Sequence, residues 1–260
     1  MRSLLERISR NVVLRRRLPR EFGRTKLFIS PDALLNLWKR DLRKTDPMLL
    51  RVAREHVHPG DIVWDIGANV GIFAFAAAAL AGPTGRILAI EADIWLVGLL
   101  RRSARTCASD IAPVDILPVA VSEAVGVARF NIARRGRASN YLSVAGGSTQ
   151  AGGVRETQYV PTATLDWLLN HFPSPKFVKI DVEGAEELVL RGAGRLLSEI
   201  RPVVLCEIFD KSRPAVDNIF HHHGYELFNA EQPTEKRHLL ATSVHDTLAY
   251  PAASSNPHLP

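Results

Sequence analysis

Short apolar runs that alternate with helix-length segments constrain this chain more than any other feature. "IVWDI" (62–66) is followed by a helical stretch at about 70–80, "RILAIEA" (86–92) by "WLVGLLRRSART" (95–106), and "VDILPVAVS" (114–122) comes next. The pattern resumes with "FVKID" (177–181), a helix over 185–199, "PVVLCEI" (202–208), a helix over 213–223, and the strands "YELFN" (225–229) and "DTLAYP" (246–251). Apolar runs of this length joined by helices suit a parallel sheet covered on both faces. The fold class is therefore α/β, doubly wound and Rossmann-like.

Residues 123–176 interrupt that rhythm. "GVARFNI" reads as a strand, "RRGRASNYLSVAGGSTQAGG" as loop, and "TQYVPTATLDWLLNHF" as a strand and a short helix. The segment is too small for a domain of its own, so it is an expected β-rich insertion over the carboxyl edge of the sheet, where such folds bind ligands. Residues 31–260 then form one domain. Ahead of the first strand, "SPDALLNLWKRDLRKTDPMLLRVAREHV" predicts one or two amphipathic helices, with Pro31 in a first turn.

Charge separates the first 30 residues from the rest. The net +6 of the 260-residue chain comes from residues 1–26, at +7, and the remainder sums to −1. A basic balance confined to one arm does not mark a nucleic-acid-binding domain. Leu5, Ile8 and Val12 recur there at helical spacing among arginines, compatible with a helix on an anionic membrane surface or with a cap on the domain. Two cysteines, Cys107 and Cys206, are too few for a disulfide framework, and no apolar run spans a bilayer. The start of the chain lacks a secretory h-region, so a cytoplasmic protein is expected, with peripheral membrane contact through residues 1–26 as an option. The sequence leaves the oligomeric state open.

The first strand closes on "DIGANVG". Gly67 permits a sharp exit from the strand and Gly71 a close helix approach, leaving the N–H groups of Ala68 and Asn69 toward a ligand. The spacing is G-x-N-x-G, not the G-x-G-x-x-G of a pyrophosphate cradle. Asp65 before the first glycine repels a diphosphate and attracts an ammonium, and Glu91, followed by Ala92, ends the second strand where a ribose diol is bound in such folds. S-adenosylmethionine carries both groups. The third strand's end, with Ala120, Val121 and Ser122, is expected beside the adenine.

These segments, with "VPTATLDWLL", "FVKIDVEGAEELVLRGAGRLL" and "RPVVLCEI", resemble the FkbM-type family of S-adenosylmethionine-dependent methyltransferases over about residues 61–208. The resemblance implies a seven-stranded methyltransferase sheet with a reversed last strand, and O-methylation of a sugar, glycan or glycolipid-like acceptor. A nicotinamide oxidoreductase on the same fold, or a non-catalytic membrane-surface module, are the rival readings.

In an extended "FVKIDVEGAEE", Lys179, Asp181 and Glu183 share one face, beside the glycine loop. Methyl transfer to a hydroxyl needs positioning and an outlet for the proton, and Asp181, Glu183 or, at the end of the next strand, Glu207 supplies it, with Asp181 also reaching the cofactor. Lys179 then holds a carboxylate ionised or serves as an ion-pair partner. In the insertion, Ser139, Asn140 and Tyr141, with Arg134, Arg135 and Arg137, are the candidate acceptor contacts. The histidines carry no metal pattern, and none is expected to hold an ion.

Overall fold

The computed structural model describes residues 8–10, 12–39, 41–147 and 151–252. Chain order begins with β1 (Leu14–Arg17) and β2 (Lys26–Ile29), an antiparallel pair, followed by short 3-10 turns and α1 (Pro47–His56). Then come β3 (Ile62–Ile66), α2 (Ile72–Ala81), β4 (Arg86–Ile90), α3 (Ile94–Ala104), β5 (Val114–Leu117), β6 (Ala120–Val121), β7 (Gly126–Ala133), β8 (Tyr141–Leu142) and β9 (Val154–Ala163). The remaining elements are α4 (Leu165–Leu168), β10 (Phe177–Ile180), α5 (Glu186–Arg191), β11 (Val203–Glu207), α6 (Arg213–His222), β12 (Tyr225–Asn229), β13 (Leu239–Leu240) and β14 (Asp246–Pro251).

The main sheet runs β13-β12-β14-β11-β10-β3-β4-β5. Five neighbouring strands from β11 to β5 are parallel, and β14 lies antiparallel between β11 and β12. This is the expected doubly wound sheet with its reversed last strand, extended at one edge by the two-residue β13. Its strands are buried on both faces, which explains their nearly continuous Val, Ile and Leu runs. On one face α2, rich in alanine, is buried almost all round, its small side chains permitting close approach of the sheet. On the other, Trp64, Ile66, Val178 and Ile180 meet α5 and α6.

Three local expectations change. Residues 114–122 are not one strand: Pro118 has no N–H for the ladder, so β5 stays in the main sheet while β6 leaves for a second one, ordered β6-β9-β7-β8. The helix expected over 185–199 ends at Arg191, where a Cβ on Gly192 would stand 2.5 Å from Ser122 O; a short π-type turn, Leu196–Ile200, replaces its second half. The helix before the sheet starts at Pro47, not Pro31, because Asp46 caps it by accepting from Leu49 N at 2.9 Å.

The basic arm also differs from expectation. Leu5 lies outside the described residues, and from Val12 onward the chain is extended and then paired, not helical. Leu18, Phe22, Leu27 and Ile29 enter the main core, Phe28 N donates to Ser103 Oγ on α3 at 2.8 Å, and the Arg102 guanidinium covers the Phe28 ring. Residues 14–29 thus pack as part of the domain, with Arg15, Arg17, Arg20, Arg24 and Lys26 left exposed. Among the described residues, no helix is long and apolar enough to cross a membrane.

Candidate active site

At the carboxyl ends of β3 and β10 the backbones almost touch. A Cβ on Gly67 would lie 1.8 Å from Asp181 O, and Gly67 itself has φ +74°, so both crowding and conformation demand glycine. Asn69 takes φ 52°, a left-handed value that asparagine tolerates, and Gly71 at φ +85° opens α2, where a Cβ would strike Leu100 and Phe75 at 2.7 Å. The loop turns Asn69 N toward β4, and Glu91 Oε2 accepts its hydrogen bond at 2.8 Å. Glu91 Oε1 accepts from Asp93 N at 2.8 Å, so two backbone donors fix the carboxylate and leave its remaining lone pairs toward the cavity. Burial pushes Glu91 up to about 7 against those two bonds.

On the other side of the loop, Lys179 Nζ lies 3.2 Å from Asp65 Oδ1 and 3.2 Å from Asp181 Oδ2, and it donates to Gly67 O at 3.2 Å. Asp65 is fully buried and raised above the usual carboxylate range by burial, with Lys179 opposing. It lines the cavity from within the ion pair, with its carboxylate oxygens buried. Asp181 is the exposed member of the trio, at 29%.

The alternation read from "FVKIDVEGAEE" stops at Ile180, where β10 ends. Glu183 nevertheless reaches the same cavity, because it sits at φ 55° and is followed by Gly184 at φ +99°. Glu186 anchors this turn from below, accepting from Gly184 N at 2.7 Å and from Ser212 Oγ at 2.8 Å. The carboxylates of Asp181, Glu183 and Glu207 come within 4.8 Å of one another. Burial and the charges of Asp181 and Glu207 push Glu183 up to about 9, whereas Asp181 first and burial second bring Glu207 to about 7. His245 Nε2 approaches Glu207 at 3.3 Å from outside, and that contact raises the imidazole to about 9.

One cavity of about 320 Å³ joins these groups. Asp65, Gly67, Ala68, Asn69, Glu91, Ala92, Ala120, Val121, Lys179, Asp181, Glu183 and Glu207 all line it. Gly71 does not, and acts through the helix start. Leu34, Leu37 and Asp46, from the segment before β3, close a third side. Sequence reasoning did not find them; the acid directly before Pro47 was the available signal for Asp46, a helix cap at the sheet's ligand edge.

The insertion supplies the fourth side, but its polar groups are mostly engaged. Asn140 Nδ2 donates to Asp93 Oδ2 at 2.8 Å and its Oδ1 accepts from Ala133 N at 2.8 Å. Arg137 bridges Asp93 and Asp32, and Arg155 clamps Asp32 at 3.0–3.3 Å. Asn140 and Arg137 thus line the cavity with side chains already engaged within its wall. Ser139 does line the cavity; Tyr141 does not, its ring packing against Gly147, and Arg134 and Arg135 are exposed.

The sequence profile described as "Methyltransferase FkbM domain" matches residues 65–227, more than half of the chain. The chain belongs to the FkbM methyltransferase family. Membership sets aside the nicotinamide reading, and S-adenosylmethionine is the cofactor. The cavity fits it: a buried acid fixed by backbone donors stands on one side of the glycine loop and a carboxylate cluster on the other, while Asn69 Oδ1 has no hydrogen-bond partner. The hexuronic acid methyltransferase AglP of Haloferax volcanii is 26% identical over 174 residues, covering 65% of this chain and 65% of that protein, just short of two thirds of its length. Among solved structures, the FkbM methyltransferase of Methylobacillus flagellatus aligns at TM-score 0.47 and 15% identity, covering 77% of this chain and 50% of that one. A precorrin-6y C5,15-methyltransferase from Geobacter metallireducens aligns at TM-score 0.46 and 17% identity, covering 80% and 88%.

Proposed function

We propose that this FkbM methyltransferase methylates a hydroxyl of a sugar, glycan or glycolipid-like acceptor, and that Glu207 receives the hydroxyl proton. The observation that carries the reading is the convergence of Asp181, Glu183 and Glu207 within 4.8 Å, across the glycine loop from Glu91 in one cavity. S-adenosylmethionine supplies an electrophilic methyl group on a sulfonium. Glu91 accepts hydrogen bonds from the ribose hydroxyls, and Val119, Ala120 and Val121 flank the base. Asp181, exposed where Asp65 is not, attracts the ammonium.

The three carboxylates then divide the work by protonation state. Glu183, at about 9, keeps its proton at neutral pH and donates a hydrogen bond to the acceptor. Glu207, at about 7, is half ionised there and matched to proton abstraction. The hydroxyl oxygen takes the methyl carbon as the methyl–sulfur bond breaks, leaving neutral S-adenosylhomocysteine, while the O–H bond breaks and its proton passes to the Glu207 carboxylate, which the neighbouring His245 imidazolium steadies beforehand. Alignment supplies most of the rate, as much as roughly 7–11 kcal/mol in ideal cases.

The reading is supported, for the sugar class, by the family relationship to a hexuronic acid methyltransferase. Calorimetry with S-adenosylmethionine and S-adenosylhomocysteine tests the cofactor end: both bind in the micromolar range, and binding of neither defeats the proposal. Transfer of labelled methyl from the donor to a panel of sugars tests the acceptor end, with product identified as a base-stable ether.

A further inference from the structure

The acceptor end of the cavity holds more negative charge than its surroundings neutralise. Asp46, Asp65, Asp181 and Glu207 line it beside a protonated Glu183, against two cations among the described residues, Lys179 and Arg137. Lys179 is shared between Asp65 and Asp181, and Arg137 is held by Asp32 and Asp93 behind the opposite wall. His245 meets Glu207 from outside and Lys211 Nζ donates to Ala145 O at 3.3 Å, so neither turns a free positive charge into the cavity. Asp246, next to His245, adds a further acid behind Glu207. Glu183 responds to this crowding by retaining its proton to about 9.

We propose that this end selects an amino sugar: an acceptor with an ammonium beside the reacting hydroxyl, not a uronic acid. A carboxylate beside that hydroxyl would enter among like charges at about 4–6 Å with no free cation to receive it. An ammonium there donates to Glu207 while the hydroxyl stays aligned, Asp181 being held by Lys179 and the cofactor's own ammonium. The hexuronic acid named for the archaeal relative belongs to that protein; the charge of this cavity points to the opposite sign. The inference rests on the assignment of the carboxylate cluster to the acceptor end.

The full chain, saturated with S-adenosylhomocysteine in EDTA at pH 7 and low salt, is titrated calorimetrically with glucosamine, methyl glucoside and glucuronate. Glucosamine is expected to bind at least about tenfold more tightly than glucuronate, with methyl glucoside between them. The ratio falls several-fold above 0.5 M salt, where screening lengths are only a few ångström. In Glu207→Gln at pH 7 the ratio falls toward one while S-adenosylhomocysteine affinity is retained; the wild-type ratio stands even if the variant fails to fold. Glucuronate binding as tightly as glucosamine, glucosamine failing to bind, or glucuronate binding restored by Mg²⁺ would each overturn the proposal. Failure of the cofactor reading is separate, since it is seen in the preceding titration with S-adenosylhomocysteine alone.

Discussion

Two clusters of charge face each other across the cavity, but Asp32 and Asp93 are 4% and 0% exposed whereas Asp181 and Glu207 are each 29% exposed. In the insertion wall, Asp32 receives Arg137 and Arg155, and Asp93 receives Trp95 N at 2.9 Å, Asn140 Nδ2 and Arg137. Every carboxylate oxygen has a donor. At the ends of β10 and β11, four acids of the lining, Asp65, Asp181, Glu183 and Glu207, share a single buried ammonium and the outer imidazole of His245. A saturated cluster has one stable protonation state and serves as architecture. An unsaturated one keeps groups whose affinity for protons lies near neutrality, which is what proton transfer requires.

The largest expected effect strikes the unsaturated side. Glu207→Gln should lower kcat by roughly 10²–10⁴-fold, with S-adenosylhomocysteine affinity unchanged within about twofold. In the wild type, kcat/KM should rise with pH through about 7 and decline near 9, where Glu183 loses the proton it donates. A flat profile would place the base elsewhere.

Breaking the saturated side should instead unfold. Arg137→Met leaves Asp93 without a cationic partner and Asp32 with Arg155 alone, and should destabilise by about 3–5 kcal/mol, a fall in Tm of roughly 6–15 °C. Asn140→Ala removes one donor from Asp93 and the acceptor of Ala133 N, an effect of about 1–3 kcal/mol in thermal unfolding. If either variant kept its Tm and lost only turnover, the division between the two walls would fail.

The smallest effect is a pH signature. Glu183 holds its proton to about 9 when folded and releases it near 4.5 when unfolded. The native state therefore binds more protons across that window, and its stability falls as pH rises through it. Glu183→Gln removes that term: its Tm should match the wild type near pH 4 and exceed it by the equivalent of about 1–2 kcal/mol near pH 5.5.

Much of the α/β core was legible because its signals are local. An apolar run such as "IVWDI" identifies a buried strand unaided, and the left-handed backbone of Gly67 and Gly71 in "DIGANVG" is a local demand, whereas their crowding by Asp181 and Leu100 is not. Asp181 and Glu207 stand at strand ends and were open to sequence reasoning, while Glu183 joins them only through its left-handed turn. In the basic arm the helical period of Leu5, Ile8 and Val12 falls partly outside the described residues, while Leu18, Phe22, Leu27 and Ile29, which no period announces, are buried by α2, α3 and the segment before α1. Asn140 lines the cavity, but only the structure shows that Asp93, 47 positions away, holds its amide.

By itself, then, the sequence determined the strands, the glycine loop and the acids that end the strands, because each depends on neighbours a few residues apart. Only the tertiary structure decided which charges are spent. Arg137 finds Asp32 across 105 residues and Lys179 reaches Gly67 O across 112, and no periodicity records such pairings. Whether a buried carboxylate is scaffold or reagent follows from the count of donors around it, a quantity set by packing and not by the residue's name.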